Sequence, residues 1–353
     1  MTRSCLCPAV SLWVFAFCVS GGVAAEPEGQ VLKVEGSGPL TSVAFSRDGR
    51  WLAQTEKDVV RIWDLKTGKV LRSWKPPKAK VAYLHAVAFS PDGKRLAVAA
   101  AAYQCELFVH DTETGKLIWQ KHTLGASHIC LDFSPDGKRL VCTGDFSDRK
   151  NHDLNVFRAE DGKLERGFYS PKTPGLSECV PITFAPDGKT VVANSAAGRV
   201  TLWDIETGKA QPEVHIDPEH LDISSLAVSP DGKVLAVGTR KSLFLFDLKN
   251  GKPLRVLSER KKALVDWRKG EPLLIRFSPD GTTVFAFLDH KLQAWEVKTG
   301  KARKVPDVAW SEAAAFSADL SSVASGFTIT TIPKWDAEPL PMNCLPKDDA
   351  TGC

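Results

Sequence analysis

The sequence predicts an all-β fold built from one unit that repeats around a ring, and two recurring motifs carry that prediction. The first motif is a hairpin in which short apolar runs flank a Ser-Pro-Asp-Gly turn, as in residues 88–97. Proline fixes φ at the second turn position, and Gly accepts the positive φ that closes the turn. The turn Asp returns along the chain at steps of 39 to 51 residues, at Asp48, Asp92, Asp136, Asp187, Asp231, Asp280 and Asp319. Such a period is typical of repeat architectures.

The second motif follows each hairpin and joins an apolar, an aromatic and an acidic residue to a Thr-Gly-Lys turn. Its first copy occupies residues 62–69, and the same order returns at 109–116 and 202–209. The copy at 156–163 has Arg158 in the acidic position and Asp161 in place of the turn Thr. Shorter copies stand at 246–252 and 295–301, and the seventh copy keeps only Trp335 and Asp336. Two motifs in a fixed order over most of the chain indicate a common ancestry of the units rather than chance.

Each unit contains four segments of alternating apolar residues, which predict four short strands. In the second unit these lie near 86–90, 95–99, 106–111 and 117–120, and tight turns between them make neighbouring strands antiparallel. A single sheet of this size has two faces to bury, and stacking the sheets around an axis covers both. The segment 31–34 is typical of a fourth strand, and prolines follow Asp336. We therefore expect the N-terminal strand to complete the seventh sheet and close the ring.

The two motifs resemble the Trp-Asp (WD) repeat family of β-propellers over residues 30–340, in the form of an exported bacterial-type member with degenerate repeats. The resemblance implies a seven-bladed propeller of four-stranded antiparallel blades. The chain departs from the family pattern because it contains no Gly-His dipeptide and mostly lacks the Asp before the third strand. It also replaces the motif Trp by His110, Phe157 and Phe246. We therefore expect its blades to rest on apolar packing more than on a buried polar network.

The chain divides into a signal peptide (1–25), a propeller (26–340) and a C-terminal tail (341–353). Arg3 precedes an apolar run at 9–19, and Val23, Ala24 and Ala25 supply small residues for cleavage before Glu26. The run is short for a membrane span, although an uncleaved N-terminal anchor is the alternative. We expect export to the periplasm or the extracellular space, with no integral membrane segment after cleavage.

Six cysteines remain after the predicted cleavage, and export permits disulfides among Cys105, Cys130, Cys142, Cys179, Cys344 and Cys353. If residues 135–137 form a three-residue loop, Cys130 faces Cys142 across the hairpin. That arrangement is compatible with a strained bridge or with two buried thiols in contact. The sequence does not choose among the pairings.

Composition and motifs exclude several function classes. The chain has 46 basic and 42 acidic residues, and their interspersed charges lack the basic stripe of a nucleic-acid-binding protein. Neither a nucleophile motif nor a phosphate-binding glycine loop is present, so we expect no catalytic residues and no cofactor. The mature chain has no Cys-x-x-Cys pair, so we expect no metal site. His215 and His220 lie in one acidic blade connection, which is conceivable as a weak metal site but more typical of a solvated loop.

The irregular insertions predict where a partner binds. The resemblance implies that the Ser-Pro-Asp-Gly and Thr-Gly-Lys turns share one face of the ring, here called the bottom face. The remaining loops lie on the opposite top face, which includes the long connections 144–153, 167–179 and 258–271. Aromatic residues and Arg are common interface anchors, and the candidates are Tyr103, Arg149, His152, Tyr169, Trp267 and Arg268. The alternative is that these side chains only cover neighbouring loops.

A second candidate site lies on the first strands. The residue before the hairpin Phe or Val is small in most units, but the third unit has Asp132 and the sixth has Arg276. These two side chains either face the central channel and form a small-molecule or ion site, or each pairs locally with another blade. The leading hypothesis is therefore a non-catalytic exported scaffold that binds a protein or peptide through its top-face loops. The alternative is a propeller enzyme or small-ligand or metal binder that uses the channel mouth.

Overall fold

The computed structural model describes fifteen segments of the chain, namely residues 31–33, 40–76, 83–101, 106–122, 130–143, 154–168, 181–196, 198–211, 213–216, 223–239, 242–259, 274–288, 291–308, 313–325 and 328–331. These segments form seven four-stranded antiparallel sheets and contain no helix. The prediction of an all-β, seven-bladed propeller is confirmed. The predicted signal peptide and C-terminal tail lie outside the described segments. Within those segments, no helix of the length and apolarity of a membrane span was found.

The first four blades follow the chain in order, each from its inner to its outer strand. Blade 1 contains β2 (Leu40–Phe45), β3 (Trp51–Glu56), β4 (Val59–Asp64) and β5 (Lys69–Trp74). Blade 2 contains β6 (Tyr83–Phe89), β7 (Arg95–Ala101), β8 (Glu106–Asp111) and β9 (Leu117–His122). Blade 3 contains β10 (Leu131–Phe133), β11 (Arg139–Thr143), β12 (Leu154–Arg158) and β13 (Leu164–Phe168). Blade 4 contains β14 (Ile182–Phe184), β15 (Thr190–Ala196), β16 (Arg199–Asp204) and β17 (Val214–His215).

The last three blades include the one that joins both ends of the described chain. Blade 5 contains β18 (Ile223–Val228), β19 (Val234–Thr239), β20 (Ser242–Asp247) and β21 (Pro253–Glu259). Blade 6 contains β22 (Ile275–Phe277), β23 (Thr283–Leu288), β24 (Lys291–Glu296) and β25 (Ala302–Arg303). Blade 7 contains β26 (Ala314–Phe316), β27 (Ser322–Ser325), β28 (Thr328–Thr331) and β1 (Val31–Lys33). β1 pairs antiparallel with β28, with Val31 opposite Thr330.

The Ser-Pro-Asp-Gly turn is held together by its own side chains. In blade 2, Ser90 Oγ donates to Asp92 Oδ1 at 2.6 Å and accepts the backbone N–H of Arg95 at 2.9 Å. Asp92 Oδ1 also accepts the N–H of Lys94, and Gly93 donates its N–H to the Ser90 carbonyl with φ at +71°. Ser90 therefore lies opposite Arg95 with four residues, 91–94, in the turn between them. The polar side chains of the turn satisfy backbone donors that the sheet leaves free.

This four-residue turn corrects the predicted pairing of Cys130 with Cys142. In blade 3, Leu131 lies opposite Cys142, and Cys130 lies opposite Thr143, with which it exchanges hydrogen bonds. A shift of one residue moves a side chain to the other face of a sheet. Cys142 is a buried free thiol, and burial raises its pKa well above the usual value. Cys130 is disulfide-bonded to a cysteine outside the described segments.

The hydrophobic core lies between adjacent blades rather than inside any one of them. One cluster joins Ala97 and Val109 of blade 2 to Leu140 and Phe157 of blade 3, and all four are at most 2 % exposed. The second and third strands of each blade supply most of the buried apolar residues because both of their faces meet a neighbouring sheet. Burial on both faces is the reason that these strands are rich in Val, Leu and Ala.

Aromatic residues of the outer strands cover the motif aromatic of the next blade. Trp74 lies 5.3 Å from His110, Trp119 lies 6.0 Å from Phe157, and Phe168 lies 5.2 Å from Trp203, between ring centroids. Each of these three pairs contains one Trp, which comes from either the outer strand or the motif. The smaller motif residues in blades 2 and 3 are thus compensated by a Trp from the preceding blade, and the blade interfaces stay filled.

Blade 1 contains a buried polar cluster, although the sequence predicts that apolar packing contributes more to the blades than a buried polar network does. Trp63 Nε1 donates to Gln54 Oε1 at 2.8 Å, and Gln54 Nε2 donates to Glu56 Oε1 at 2.7 Å. Arg61 Nη1 lies 2.6 Å from Glu56 Oε2, and Gln54 and Glu56 are at most 4 % exposed. A buried Trp N–H needs an acceptor, and here Gln54 supplies it in place of the missing family residues.

We expect His110 to make stability depend on pH. Burial lowers the pKa of His110, while the contact with the Gly115 carbonyl opposes this effect, and Nε2 is buried without a partner. The unfolded state then binds a proton that the folded state does not, so stability falls as the pH drops below about 6.5, the usual His value. His110→Phe is expected to remove this loss. Melting temperatures of the two proteins between pH 7.5 and 5 check the prediction, and parallel curves would contradict it.

Candidate functional site

The first strands of the blades surround the central axis. Neighbouring first strands contact each other around the ring, for example β6 with β10 and β10 with β14. Close approach of seven strands leaves little room for side chains, which explains why the position before the hairpin Phe or Val is Ala in four blades. Asp132 and Arg276 occupy this position in blades 3 and 6. The structure brings both of them to the wall of one cavity.

The cavity has a volume of about 340 Å³ and lies at the bottom end of the channel. Its apolar wall comes from the hairpin Phe residues and from turn prolines, among them Pro91, Pro230 and Pro279. The turns pack against each other around this mouth, since a Cβ on Gly281 would lie 3.6 Å from Pro230 Cδ. The wall is therefore built from rigid turn residues whose positions are fixed by the hairpins described above.

Asp132 is tied to the neighbouring blade. Its Oδ2 accepts the Thr183 hydroxyl at 3.0 Å and the backbone N–H of Phe184 at 2.9 Å, and both donors belong to β14 of blade 4. Burial raises the pKa of the Asp132 carboxyl, and the Phe184 N–H, the charge of Arg276 and the Thr183 hydroxyl oppose that shift without cancelling it. The carboxylate thus bridges two blades while it lines the cavity.

Two guanidinium groups accompany this carboxylate at the mouth. Arg276 is exposed although it stands in the middle of a first strand whose other two residues are buried. Arg47 replaces the turn proline of blade 1 and also lines the cavity. Arg276 is near enough to Asp132 to act on its charge across the channel. The charged groups of the wall therefore comprise two cations and one anion.

The six partner-binding candidates Tyr103, Arg149, His152, Tyr169, Trp267 and Arg268 lie outside the described segments. The strands that carry their loops are described, however. β11 ends at Thr143 and β13 ends at Phe168, and both ends lie away from the Ser-Pro-Asp-Gly turns because β10, β11, β12 and β13 alternate in direction. The attachment points of these loops therefore face the top of the ring. Whether the candidates bind a partner stays a prediction.

No group of three or more His, Cys, Asp or Glu residues within the described segments has the arrangement of a metal site. His215 is exposed on β17, and its Nε2 lies 3.9 Å from Glu213 Oε2. His220 and the acidic residues around it lie outside the described segments. The channel cavity is a concave site that lies within the described part of the chain.

Sequence reasoning found Asp132 and Arg276 because they break the small-residue pattern, but it did not identify Arg47. The signal for Arg47 was of the same kind. Residues 46–49 are Ser-Arg-Asp-Gly, whereas five of the other copies have proline at the second position. Arg47 is thus the charged exception at a position that is otherwise Pro or, in the seventh copy, Ala318.

The fold and the channel define the chain as a seven-bladed repeat β-propeller. The model for the WD domain, G-beta repeat, matches residues 29–64, and a second family model, described as outer membrane protein assembly factor BamB, matches residues 56–305. The second match spans more than half of the chain, so the chain belongs to the family that this second model describes.

Similar curated proteins include two that are named as WD repeat-containing proteins. The chain is 27% identical to the WD repeat-containing protein WDS homolog of Arabidopsis thaliana over 70% of this chain and 46% of the relative. It is 28% identical to the WD repeat-containing protein 26 homolog of Drosophila melanogaster over 68% of this chain and 44% of the relative. It is also 27% identical to the small ribosomal subunit protein RACK1 of Neurospora crassa, over 48% and 51% of the two chains. The chain thus spans about half the length of these relatives.

Proposed function

We propose that the protein is a non-catalytic, exported recognition module that binds a protein or peptide partner through its top-face loops. The observation that carries this proposal is the contrast between the two faces. The bottom face is built from short turns, and the hairpin turns of blades 2, 3, 5 and 6 are each closed by their own Ser and Asp side chains. Long connections of variable sequence leave the strands on the other side. Binding residues usually collect on loops that a rigid scaffold holds.

The curated relatives support a recognition role because two of them are named as WD repeat-containing proteins and a third is named as a small ribosomal subunit protein. Export rests on the sequence of residues 1–25. The description of the matching family as an outer membrane protein assembly factor is in keeping with a place in a bacterial envelope. N-terminal sequencing of the protein purified from fractionated cells tests this part of the proposal. A mature chain that begins at Glu26 supports export, and a cytoplasmic chain that retains Met1 contradicts it.

Charge reversal on the top face is expected to weaken partner binding. The chain 26–353 is crosslinked to the envelope fraction of its source, and each protein recovered is purified and titrated against it. Arg149→Glu combined with Arg268→Glu is expected to weaken the affinity at least tenfold because Arg residues are frequent anchors of interfaces. Changes in the dissociation constant, measured by calorimetry with the purified pair, check this expectation.

The matched control reverses two charges on the bottom face. Lys94→Glu combined with Lys138→Glu changes two exposed turn residues, and we expect it to leave the affinity unchanged. If the control loses binding and the top-face variant does not, the assignment of the faces is wrong. If no purified protein binds saturably to the wild-type chain, the recognition role itself is wrong.

A further inference from the structure

The bottom mouth of the channel combines a cavity with an excess of positive charge, and this combination does not depend on the top-face proposal. The cavity of about 340 Å³ is at the small end of the range for small-molecule sites. Its wall includes Arg47 and Arg276 against the single carboxylate of Asp132. We propose that this mouth binds a small organic oxyanion, a carboxylate or a phosphate monoester with a compact apolar body.

The Asp132 carboxylate does not form an ion pair with either guanidinium group of the cavity wall. Its Oδ2 already accepts two hydrogen bonds from blade 4, which direct the carboxylate toward Thr183 and Phe184. Among the ion pairs of the described segments, none joins Asp132 to Arg276 or to Arg47 within 4.0 Å. The two guanidinium groups therefore keep their donors for a ligand.

Arg276 places a large charged side chain at a strand position that is small in most other blades. The corresponding position is Ala in four blades and Thr183 in blade 4, because first strands approach each other closely. Arg276 is exposed in this crowded ring, and its side chain makes no hydrogen bond within the described segments, so it adds little to packing. A guanidinium carries five N–H donors in a planar fork that matches a carboxylate or a phosphate. These properties fit recognition of an oxyanion in the channel.

The turn aspartates do not make the net charge at the cavity negative. Seven of them surround the bottom face, but each carboxylate points back to its own hairpin, as Asp280 does to Ser278 and Thr282. The hydrogen bonds from Ser229 and from the Lys233 N–H likewise hold the pKa of Asp231 below its usual value. These carboxylates are thus satisfied within the turns, and basic residues follow several of them in the sequence. The guanidinium groups remain the charges directed at the cavity.

The apolar part of the wall sets the second requirement on the ligand. Phe45, Phe316 and three turn prolines line the cavity beside the guanidinium groups. An oxyanion with an aromatic or branched aliphatic body buries apolar surface there, whereas a bare inorganic anion does not. We therefore expect phenyl phosphate and benzoate to bind more tightly than inorganic phosphate, and neutral benzamide to bind more weakly than benzoate.

Calorimetry with the chain 26–353 at low salt tests the site with these four probes. We expect one saturable site for phenyl phosphate or benzoate, and Arg276→Ala is expected to weaken it at least tenfold. Arg276→Lys keeps the charge but loses the fork, so its loss is expected to be smaller. Lys94→Ala, on the same face but outside the cavity wall, is the control and is expected to bind as the wild type does.

The comparison of probes also identifies the anion. Tighter binding of phenyl phosphate indicates a phosphate monoester as the natural ligand, and tighter binding of benzoate indicates a carboxylate. Arg276→Ala introduces the residue that four other blades carry, so we expect an unchanged melting temperature. The proposal is overturned if neither organic anion binds, if benzamide binds as tightly as benzoate, or if Arg276→Ala binds as the wild type does.

Discussion

Gly162→Ala is expected to lower the free energy of unfolding by about 3 kcal/mol. Gly162 has φ at +70°, and an L-residue in this region costs about 1 to 2 kcal/mol. A Cβ at this position would also lie 2.6 Å from Cδ2 and 2.8 Å from Cε3 of Trp119. Trp119 is 8% exposed, donates Nε1 to the Ala159 carbonyl and packs on Phe157, so it has no free direction in which to move. Overpacking of this kind adds about 1 to 3 kcal/mol.

Gly232→Ala separates the backbone cost from the clash. Gly232 has the same φ of +70°, but a Cβ there would meet nothing within 4 Å. We therefore expect a loss of about 1 to 2 kcal/mol, from the backbone alone. Urea unfolding of the wild type and both variants measures the two losses. Equal losses of unfolding free energy in the two variants would contradict the predicted clash. Trp119 would then move to make room for the added methyl group, and the interface between blades 2 and 3 would be less tightly packed than its contacts indicate.

The sequence was sufficient to predict the number of blades and their internal order, because both follow from local signals. Each Ser-Pro-Asp-Gly turn fixes one hairpin, and each Thr-Gly-Lys turn fixes the next one, so the repeat count gives the blade count. The partners across blade interfaces are different, since they depend on residues in consecutive units. Trp74 and Trp119 looked like ordinary outer-strand residues. Their packing on His110 and Phe157 explains why those units lack the motif Trp.

Strand register was the part of the fold that the sequence misassigned. The motif Pro-Asp-Gly indicates a three-residue loop, but the Ser134 hydroxyl also accepts the N–H of Arg139 and thereby holds a fourth residue in the turn. The difference of one residue separates Cys130 from Cys142. Register depends on which side chain closes the turn, and the identity of the turn residues alone does not specify this.

The candidate site was predicted in part, and for a physical reason. Crowding at the axis imposes small residues, so Asp132 and Arg276 stand out in an alignment of the seven units. Their common cavity and the hydrogen bonds of Asp132 to blade 4 depend on the three-dimensional ring and required the structure. The top-face candidates rest on loop length and residue type, and they stay predictions because they lie outside the described segments.

Arg61→Met is expected to lower the free energy of unfolding by about 3 kcal/mol. Arg61 is the cation at the end of the buried polar cluster of blade 1, and its Nη1 lies 2.6 Å from Glu56 Oε2. Loss of one partner from a buried ion pair costs about 3 to 5 kcal/mol because the other charge stays in the protein interior, which solvates it less well than water does. The Arg61 side chain is 22% exposed, so we place the loss at the lower end of that range.

Lys75→Met is the matched control for burial. Lys75 Nζ also lies 2.6 Å from a carboxylate oxygen, that of Asp58, but the two side chains are 65% and 41% exposed. Exposed pairs contribute about 0 to 1 kcal/mol, so this variant is expected to unfold almost as the wild type does. Urea unfolding of the two variants compares pairs of equal length in different surroundings. Equal losses would contradict the assignment of the effect to burial.

Glu56→Gln in the Arg61→Met protein then tests the cause directly. The amide removes the buried negative charge and still offers an oxygen to Gln54 Nε2, which keeps the hydrogen bond that leads to Trp63. We expect the second substitution to restore more than half of the stability lost by the first, because the cost comes from a buried negative charge that has lost the Arg61 guanidinium rather than from lost packing. A double variant no more stable than Arg61→Met would mean that the aliphatic part of Arg61 holds the blade together. The polar cluster would then be a consequence of the fold of blade 1 and not a cause of its stability.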